Sequence, residues 1–273
     1  MKKASDRGRS VILGVAVDRV TLAEAVRRCL DFVASGAPHL VVTPNAEIVM
    51  AARRDPELRQ VLRQADLVVP DGAGVVLAAR LLGRPVPERV AGVDLAAGVL
   101  AGAPPGTRVF LLGSTPDTVA EAARRLQARY PNITVCGRRD GYWAHFEPQA
   151  DREVVAAIRA ARPHVLLTGM GAPLQEKWLA RHLTELAVPL AMGIGGGIDL
   201  WAGKARRAPD WMIRLNLEWV YRIVRFGRYR RSLPPLIGFA LRVLAERLGL
   251  GPGGGGGDAA QQEEPPWRKT TGN

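Results

Sequence analysis

The chain has 273 residues, of which 47% are hydrophobic, and this composition excludes a wholly disordered protein. It contains 38 lysines and arginines against 26 acidic residues, and the net charge of +12 favours an anionic partner such as a nucleotide, a phosphorylated lipid, a membrane surface or a nucleic acid. The two cysteines, Cys29 and Cys136, have neither metal-binding nor redox spacing, so we expect no disulfide framework.

The amino-terminal residues are charged and lead into a strand-like segment, unlike the apolar core of a signal peptide. No run approaches the roughly 18 consecutive apolar residues that a transmembrane helix needs. We therefore expect a cytoplasmic protein that meets a membrane only at its surface.

Short strands alternate with amphipathic helices along most of the chain. The pattern over 11–18 predicts a first strand, and the capping-box spacing of Thr21 and Glu24 predicts a helix that stops at Gly36. Further strands are predicted over 39–42, 67–70, 109–112, 133–136, 164–167 and 189–192. Further helices are predicted over 46–54, 55–64, 72–82, 93–100, 116–130, 147–161 and 174–186. This alternation predicts an α/β fold with a mostly parallel, Rossmann-like sheet flanked by helices.

The character of the chain changes after Trp201. Nine lysines and arginines but only two acids lie between 204 and 231. A helix is predicted to begin near Asp210, with Met212, Leu215 and Trp219 on an apolar side and Glu218 on the opposite side with arginines. A second apolar-rich helix is predicted over 236–250, after a pair of prolines. These patterns predict a basic, amphipathic, membrane-proximal helical appendage.

We therefore divide the chain into a flexible amino terminus (1–9), an α/β core (10–203), a C-terminal appendage (204–250) and a disordered, glycine-rich tail (251–273). An alternative for the appendage is a helix that packs on the core and exposes a basic face to solvent. Nucleic-acid binding is a third interpretation, but no recognition motif supports it.

Polar residues follow several of the predicted strands, at the carboxyl ends where parallel sheets bind ligands. Asp71 stands on a glycine-rich turn after the strand over 67–70, a place compatible with a general base. The alternative is a turn or helix-capping aspartate, since Asp-Gly is a common turn pair. Thr43 and Asn45 end the preceding strand and could bind a sugar or a base. Their alternative is a turn and a cap for the following helix.

Three glycine-rich turns could bind phosphate through backbone N–H groups. They are Gly113-Ser114-Thr115, Gly169-Met170-Gly171 and Gly195-Gly196-Gly197. None of them matches a Walker A loop, and the run from Gly193 lacks the last glycine of the dinucleotide fingerprint. The chain has no residue spacing typical of a metal site, so we expect neither a metal nor a cofactor.

Taken together, the ordered segments over about 11–231 resemble the WecG/TagA/CpsF family of bacterial glycosyltransferases. The motifs that carry the resemblance are, in chain order, Thr43-Pro44-Asn45, Pro70-Asp71-Gly72-x-Gly74, Arg89-Val90-x-Gly92-x-Asp94, Phe110-Leu111-Leu112-Gly113, Gly169-x-Gly171-x-Pro173-x-Gln175-Glu176, Gly193-x-Gly195-Gly196, Arg207-Ala208-Pro209-x-Trp211 and Leu217-Glu218-Trp219.

The resemblance implies an inverting, metal-independent transfer of a sugar, typically N-acetylmannosamine or its uronic acid, from a UDP donor to an undecaprenyl-diphosphate-linked saccharide. It implies that Asp71 is the base that deprotonates the acceptor hydroxyl, and we place Thr43 beside it as a catalytic residue. The residues expected to bind substrate are Asn45, Arg89, Asp94, Gly113, Ser114, Gly169, Gly171, Gln175, Gly195 and Gly196. The appendage is expected to bind the membrane and the diphosphate through Arg214, Arg222, Arg225 and Arg228.

The sequence thus predicts an enzyme at the inner face of the cell membrane that acts in cell-surface polysaccharide or teichoic-acid-type biosynthesis. Its expected partners are a UDP-sugar, a polyprenyl-diphosphate acceptor and an anionic membrane surface, and no nucleic acid; whether it forms a homo-oligomer is left open. A non-catalytic, nucleotide-binding scaffold or regulator of the cell envelope is the alternative. The incomplete glycine fingerprint disfavours a dinucleotide oxidoreductase.

Overall fold

The computed structural model describes residues 8–141, 148–215, 217–221 and 229–250. The described chain begins with an antiparallel hairpin of β1 (Arg9–Ile12) and β2 (Val15–Asp18), so the prediction of one strand over 11–18 is wrong. Its two-residue loop has Leu13 at φ 48° and Gly14 at φ 86°. Two positive φ angles give a turn whose twist matches that of paired strands. Leucine is uncommon at positive φ, so this turn could not be predicted from the sequence.

Six parallel strands form the central sheet, as predicted. They are β3 (His39–Val42), β4 (Leu67–Val68), β5 (Thr107–Gly113), β6 (Ile133–Arg139), β7 (Val165–Gly169) and β8 (Leu190–Gly193). Their order across the sheet is β4-β3-β8-β7-β5-β6. Because all neighbouring strands are parallel, their carboxyl ends lie at one edge of the sheet.

Helices connect the strands and cover both faces of the sheet. They are α1 (Leu22–Ser35), α2 (Ala46–Ala52), α3 (Pro56–Gln64), α4 (Ala73–Leu81), α5 (Gly92–Gly102), α6 (Pro116–Arg129), α7 (Pro148–Ala161), α8 (Leu174–Leu186), α9 (Gly197–Trp201), α10 (Asp210–Arg214) and α11 (Tyr229–Arg247). The predicted capping box is confirmed, since Thr21 and Glu24 exchange hydrogen bonds at the start of α1.

Alternate strand residues divide between two apolar cores, one on each face of the sheet. Leu40 and Val42 of β3 belong to the core that α2, α3, α4, α7 and α8 cover. Val41, between them, belongs to the core beneath α1, α5 and α6. Side chains of a strand alternate between its two faces, so a sheet covered on both sides needs nearly continuous apolar strands. This requirement explains why the core strands were readable from sequence.

The appendage differs from its prediction in two respects. The helix predicted from Asp210 ends at Arg214, and helical structure is present again at 218–221. The second helix begins at Tyr229 and carries Pro234 and Pro235 inside it, although proline cannot donate the hydrogen bonds of a helix interior. This helix, α11, packs against α2 and α4, and its side chains Phe239 and Val243 are buried. None of the described helices is both long and apolar enough to cross a bilayer.

Candidate active site

Asp71 lies at the sheet edge on the turn that follows β4. Its backbone N–H donates to the Pro44 carbonyl at 3.2 Å, and its Oδ2 accepts a hydrogen bond from the Gly92 N–H at 3.1 Å. Gly72, the next residue, has φ 96°, a left-handed conformation that favours glycine. Gly72 is the N-cap of α4 and no side-chain hydrogen bond caps that helix, so the capping alternative for Asp71 is wrong.

Thr43 lies beside the same turn. Its Oγ1 is 3.5 Å from the Gly193 carbonyl oxygen at the end of β8, and the side chain is buried. A methyl group on Gly92 would lie 2.9 Å from Thr43 Oγ1, which is closer than a side chain can approach without displacement. Gly92 therefore lets its backbone pack between Thr43 and Asp71, and these two predicted residues share one small region.

Asn45 caps the following helix. Its Oδ1 accepts a hydrogen bond from the Ile48 N–H at 3.0 Å at the start of α2, which confirms the capping alternative. The same residue lies close to the Asp71 turn, since a methyl group on Gly72 would be 3.6 Å from Asn45 Cβ. Asn45 thus fixes the end of β3 and lies beside the Asp71 turn.

Gln175 and Glu176 begin α8 and are both buried, at 3% and 1% exposure. The Gln175 amide donates from Nε2 to Glu176 Oε1 at 2.8 Å and accepts the Gly195 N–H on Oε1 at 3.2 Å. Burial raises the pKa of Glu176, against the smaller opposing effect of the Gln175 hydrogen bond. Gln175 therefore connects a carboxyl group that favours its protonated form to the glycine turn after β8.

The glycine turns after β5, β7 and β8 meet one another. A methyl group on Gly113 would lie 2.5 Å from the Gly169 carbonyl oxygen, and one on Gly169 would lie 2.7 Å from the Gly195 carbonyl oxygen. Side chains at either position would separate these turns. Gly171 and Gly196 belong to the same turns but have open space where a side chain would begin. The three predicted phosphate-binding turns thus form one continuous surface.

Ser114 and Asp199 form a polar pair on this surface. Ser114 has φ 59°, uncommon for a residue with a side chain, and its Oγ donates to Asp199 Oδ1 at 2.6 Å. Asp199 lies in the first turn of α9, close after the glycines of the β8 turn. Asp199 was not among the residues predicted from the sequence, although an acid just beyond a glycine turn at a strand end is a usable signal.

Arg89 and Asp94, both predicted to bind substrate, pair with residues of the appendage. Arg89 Nη1 lies 3.2 Å from Glu218 Oε2, and Arg207 Nη2 lies 3.5 Å from the same oxygen. Arg207 also makes a bidentate pair with Asp94, at 2.5 and 3.0 Å. Burial tends to lower the pKa of Arg207, but the Asp94 and Glu218 carboxylates outweigh burial and raise the pKa. Glu218, which was predicted on the polar side of the helix with arginines, is buried.

The remaining predicted arginines fall at the limits of the described structure. Arg222, Arg225 and Arg228 lie outside the described residues, and so does the side chain of Arg214 at the end of α10. Within the part of the chain that is described, no three His, Cys, Asp or Glu side chains are grouped closely enough to hold a metal ion.

Comparison with known proteins assigns the family. The sequence profile of the glycosyl transferase WecG/TagA/CpsF family matches residues 10–252. The chain belongs to this family. The protein is therefore a glycosyltransferase, which confirms the resemblance found in the sequence.

Two relatives carry the name N-acetylglucosaminyldiphosphoundecaprenol N-acetyl-beta-D-mannosaminyltransferase. The relative from Bacillus spizizenii is 38% identical over 197 residues, which cover 71% of this chain and 74% of the relative. The relative from Staphylococcus aureus is 34% identical over 244 residues, which cover 86% of this chain and 92% of the relative. The two matches thus extend over most of each protein.

Proposed function

We propose that this family member transfers an N-acetylmannosamine-like sugar from a UDP donor to an undecaprenyl-diphosphate-linked saccharide, with inversion and without a metal. The names of the two relatives support the sugar and the lipid-linked acceptor. The observation that carries the proposal is the position of Asp71 at the sheet edge, where Gly92 packs between it and Thr43. Thr43 in turn lies against the Gly193 carbonyl at the end of β8, the strand that leads into one of the glycine turns. One carboxylate at that place meets the need of an inverting transfer for a single base.

The nucleotide part of the donor fits the surface formed by the three glycine turns. Backbone N–H groups at such turns bind phosphate oxygens, because they are donors with no side chain in the way. The Ser114–Asp199 pair offers a hydroxyl and a carboxylate, groups that bind the hydroxyls of a ribose or a hexose. We therefore assign the UDP moiety to the Gly113, Gly169 and Gly195 turns.

The proposed reaction is one displacement at the anomeric carbon of the sugar. Asp71 accepts the proton of the acceptor hydroxyl as the hydroxyl oxygen forms a bond to that carbon. The bond from the carbon to the β-phosphate oxygen breaks, and UDP leaves with the bonding electrons. Positive groups must stabilise the charge that develops on the diphosphate. We assign this task to N–H groups of the glycine turns other than that of Gly195, which Gln175 accepts, and to Arg214, Arg222, Arg225 and Arg228 of the appendage.

A lipid-linked acceptor requires that the enzyme reach a membrane surface. The basic excess between 204 and 231 suits an anionic leaflet. Exposed apolar side chains follow one line along α11, at Leu233, Ile237, Leu241 and Leu244. Their spacing of three and four residues is that of a helix face able to lie in a membrane interface. We propose peripheral binding to the inner face of the cell membrane.

A donor screen tests this function. The full chain is incubated with a set of UDP-sugars and a short-chain polyprenyl-diphosphate N-acetylglucosamine, and UDP release is measured with and without a chelator. We expect acceptor-dependent release from UDP-N-acetylmannosamine that the chelator does not reduce. The proposal is contradicted if none of the UDP-sugars releases UDP, or if the release of UDP depends on an added divalent ion.

A further inference from the structure

Four charged side chains join the appendage to the segment that begins α5. Arg89 and Asp94 belong to that segment, and Arg207 and Glu218 belong to the appendage. Both guanidinium groups pair with Glu218 Oε2. Arg89 Nη1 lies 3.2 Å from this oxygen and Arg207 Nη2 lies 3.5 Å from it. Arg207 extends the contact to Asp94 through two hydrogen bonds. We call these four residues the charge network.

The centre of the charge network is buried. The side chain of Glu218 is 7% exposed and that of Arg89 is 13% exposed, whereas Arg207 and Asp94 lie nearer to solvent. Ion pairs at an exposed surface contribute little to stability, but a buried charge that loses its partner is strongly unfavourable. Glu218 and Arg89 are therefore expected to hold one fixed geometry.

The charge network contacts the same short segment that is hydrogen-bonded to the Asp71 turn. The Val90 N–H donates to the Pro70 carbonyl at 2.9 Å, and the Gly92 N–H donates to Asp71 Oδ2. Arg89 precedes this pair of hydrogen bonds and Asp94 follows it. The appendage thus holds the segment 89–94 at both ends, and Asp71 is bonded to its middle.

We infer that Glu218 is a positioning residue for the transfer reaction. It fixes the Arg89 guanidinium at the start of the segment 89–94, and it joins the docking of the appendage to the placement of the Gly92 N–H on the Asp71 carboxylate. Glu218 contacts the segment 89–94 directly through Arg89 and, by way of Arg207, through Asp94. This inference rests on the proposed function, because it assigns Glu218 a part in the same site.

Kinetics of Glu218→Gln test the inference. A small displacement of Asp71 lowers the rate of the reaction step, so we expect kcat to fall about tenfold, with the KM for the UDP-sugar within about twofold of the wild-type value. Asp94→Asn, which breaks the more exposed pair, should lower kcat in the same direction and serves if Glu218→Gln does not fold. The double variant Arg89→Gln/Glu218→Gln should lose little more than Arg89→Gln alone, because residues that act as a unit are not additive.

A matched control separates positioning from a general loss of stability. Asp18 is also a buried carboxylate with two arginine partners, Arg9 at 3.1 Å and Arg28 at 3.7 Å, and it lies in the amino-terminal hairpin. Its Oδ2 also accepts the Val68 N–H of β4 at 2.8 Å, and the amide oxygen of an asparagine can keep that hydrogen bond while the charge is removed. We expect Asp18→Asn to lower stability and to leave the kcat of the folded enzyme near wild type. Equal loss of kcat in Asp18→Asn and Glu218→Gln, or no loss in Glu218→Gln and Asp94→Asn, overturns the inference.

Limited trypsin cleavage gives a second result that needs no turnover. Lys204 and Arg206 are exposed and lie just before the charge network. Release of the appendage should make cleavage at these two residues several-fold faster in Glu218→Gln, whereas Asp18→Asn should cleave there at the wild-type rate. Unchanged cleavage in Glu218→Gln overturns the inference, while wild-type protein that transfers no sugar overturns only the proposed function.

Discussion

Two carboxyl groups at the sheet edge have opposite surroundings. Asp71 is half-buried on a turn and accepts a backbone N–H from Gly92. Glu176 is 1% exposed, with Gln175 as its partner, and Oε2 of its carboxyl has no hydrogen-bond partner among the described residues. Burial raises the pKa of Glu176, which favours a neutral carboxyl in the folded protein. Of the two, Asp71 is the group that we propose to exchange a proton with substrate.

The protonation of Glu176 predicts how stability depends on pH. Because its pKa is raised by folding, Glu176 contributes stability below its unfolded pKa, and this contribution is lost as pH rises through the folded pKa. Between these two values the free energy of unfolding of the wild type should fall with rising pH relative to that of Glu176→Gln. Urea unfolding of both proteins from about pH 5 to about pH 8 measures this difference.

Glu153 is exposed, so Glu153→Gln serves as a control that removes one negative charge without changing a buried carboxyl group. Its stability should follow the wild-type curve in the same series of urea titrations. If the free energies of unfolding of wild type and Glu176→Gln changed equally with pH, a raised pKa at Glu176 would be contradicted.

At the scale of secondary structure, the sequence predicts the elements of the core well and the appendage poorly. The sheet strands were readable because both faces of the sheet are covered, which makes strands such as β5 almost uniformly apolar. The hairpin was missed because its turn holds Leu13 rather than an Asn-Gly pair. The burial of Glu218 was not predicted, because it comes from tertiary contacts with Arg89 and Arg207 and helical periodicity cannot reveal such partners.

The site was predicted more completely than its internal contacts. Strand ends located Thr43, Asp71 and the three glycine turns, because parallel strands bring their carboxyl ends to one edge. The sequence could not show that Gln175 binds the Gly195 N–H. It also could not show that Asp94 pairs with Arg207, because residues so distant in sequence are brought together only by tertiary packing.

The pairing of β5 with β6 supplies a prediction for the sheet. The register shifts after Val109, so Phe110 lies opposite Gly137. A methyl group on Gly137 would lie 2.6 Å from Phe110 Cδ2 in the packed core. We expect Gly137→Ala to lower the free energy of unfolding by about 1–3 kcal/mol, as overpacking does. Thermal and urea unfolding measure the change.

The Phe110→Leu substitution serves as the matched partner of Gly137→Ala. A smaller side chain leaves room for the methyl group, so the double variant should be less destabilised than the sum of the two single variants. Additive losses would show that the methyl group and the Phe110 ring do not meet.

For the whole molecule, exposed apolar surface is concentrated at one end of the sequence. Most of the exposed large hydrophobic side chains among the described residues belong to the appendage, and Trp211, Trp219 and Leu241 are examples. The same part of the chain holds the excess of positive charge. A surface that is both apolar and basic suits an anionic bilayer, because burial of side chains and attraction to head groups act together.

Vesicle binding tests this distribution. We expect Ile237→Ser/Leu241→Ser to bind anionic vesicles about tenfold more weakly than the wild type, since each exposed side chain loses apolar area that the interface would bury. Added salt should weaken the binding of both proteins. Sedimentation with phosphatidylglycerol vesicles measures the affinity, and phosphatidylcholine vesicles serve as the uncharged control. Equal sedimentation of both proteins would contradict membrane contact through α11.

The central claim is that Asp71 is the base of a UDP-sugar transfer, and the turnover of Asp71→Asn tests it most directly. Asparagine keeps the size of the side chain and cannot take the proton, so we predict UDP release about 100-fold slower or more, with UDP binding within about twofold of wild type. Asp66→Asn is the matched control, because Asp66 also accepts a backbone N–H, from Leu40, but precedes β4. It should release UDP at close to the wild-type rate. Near-wild-type turnover of Asp71→Asn would contradict the account.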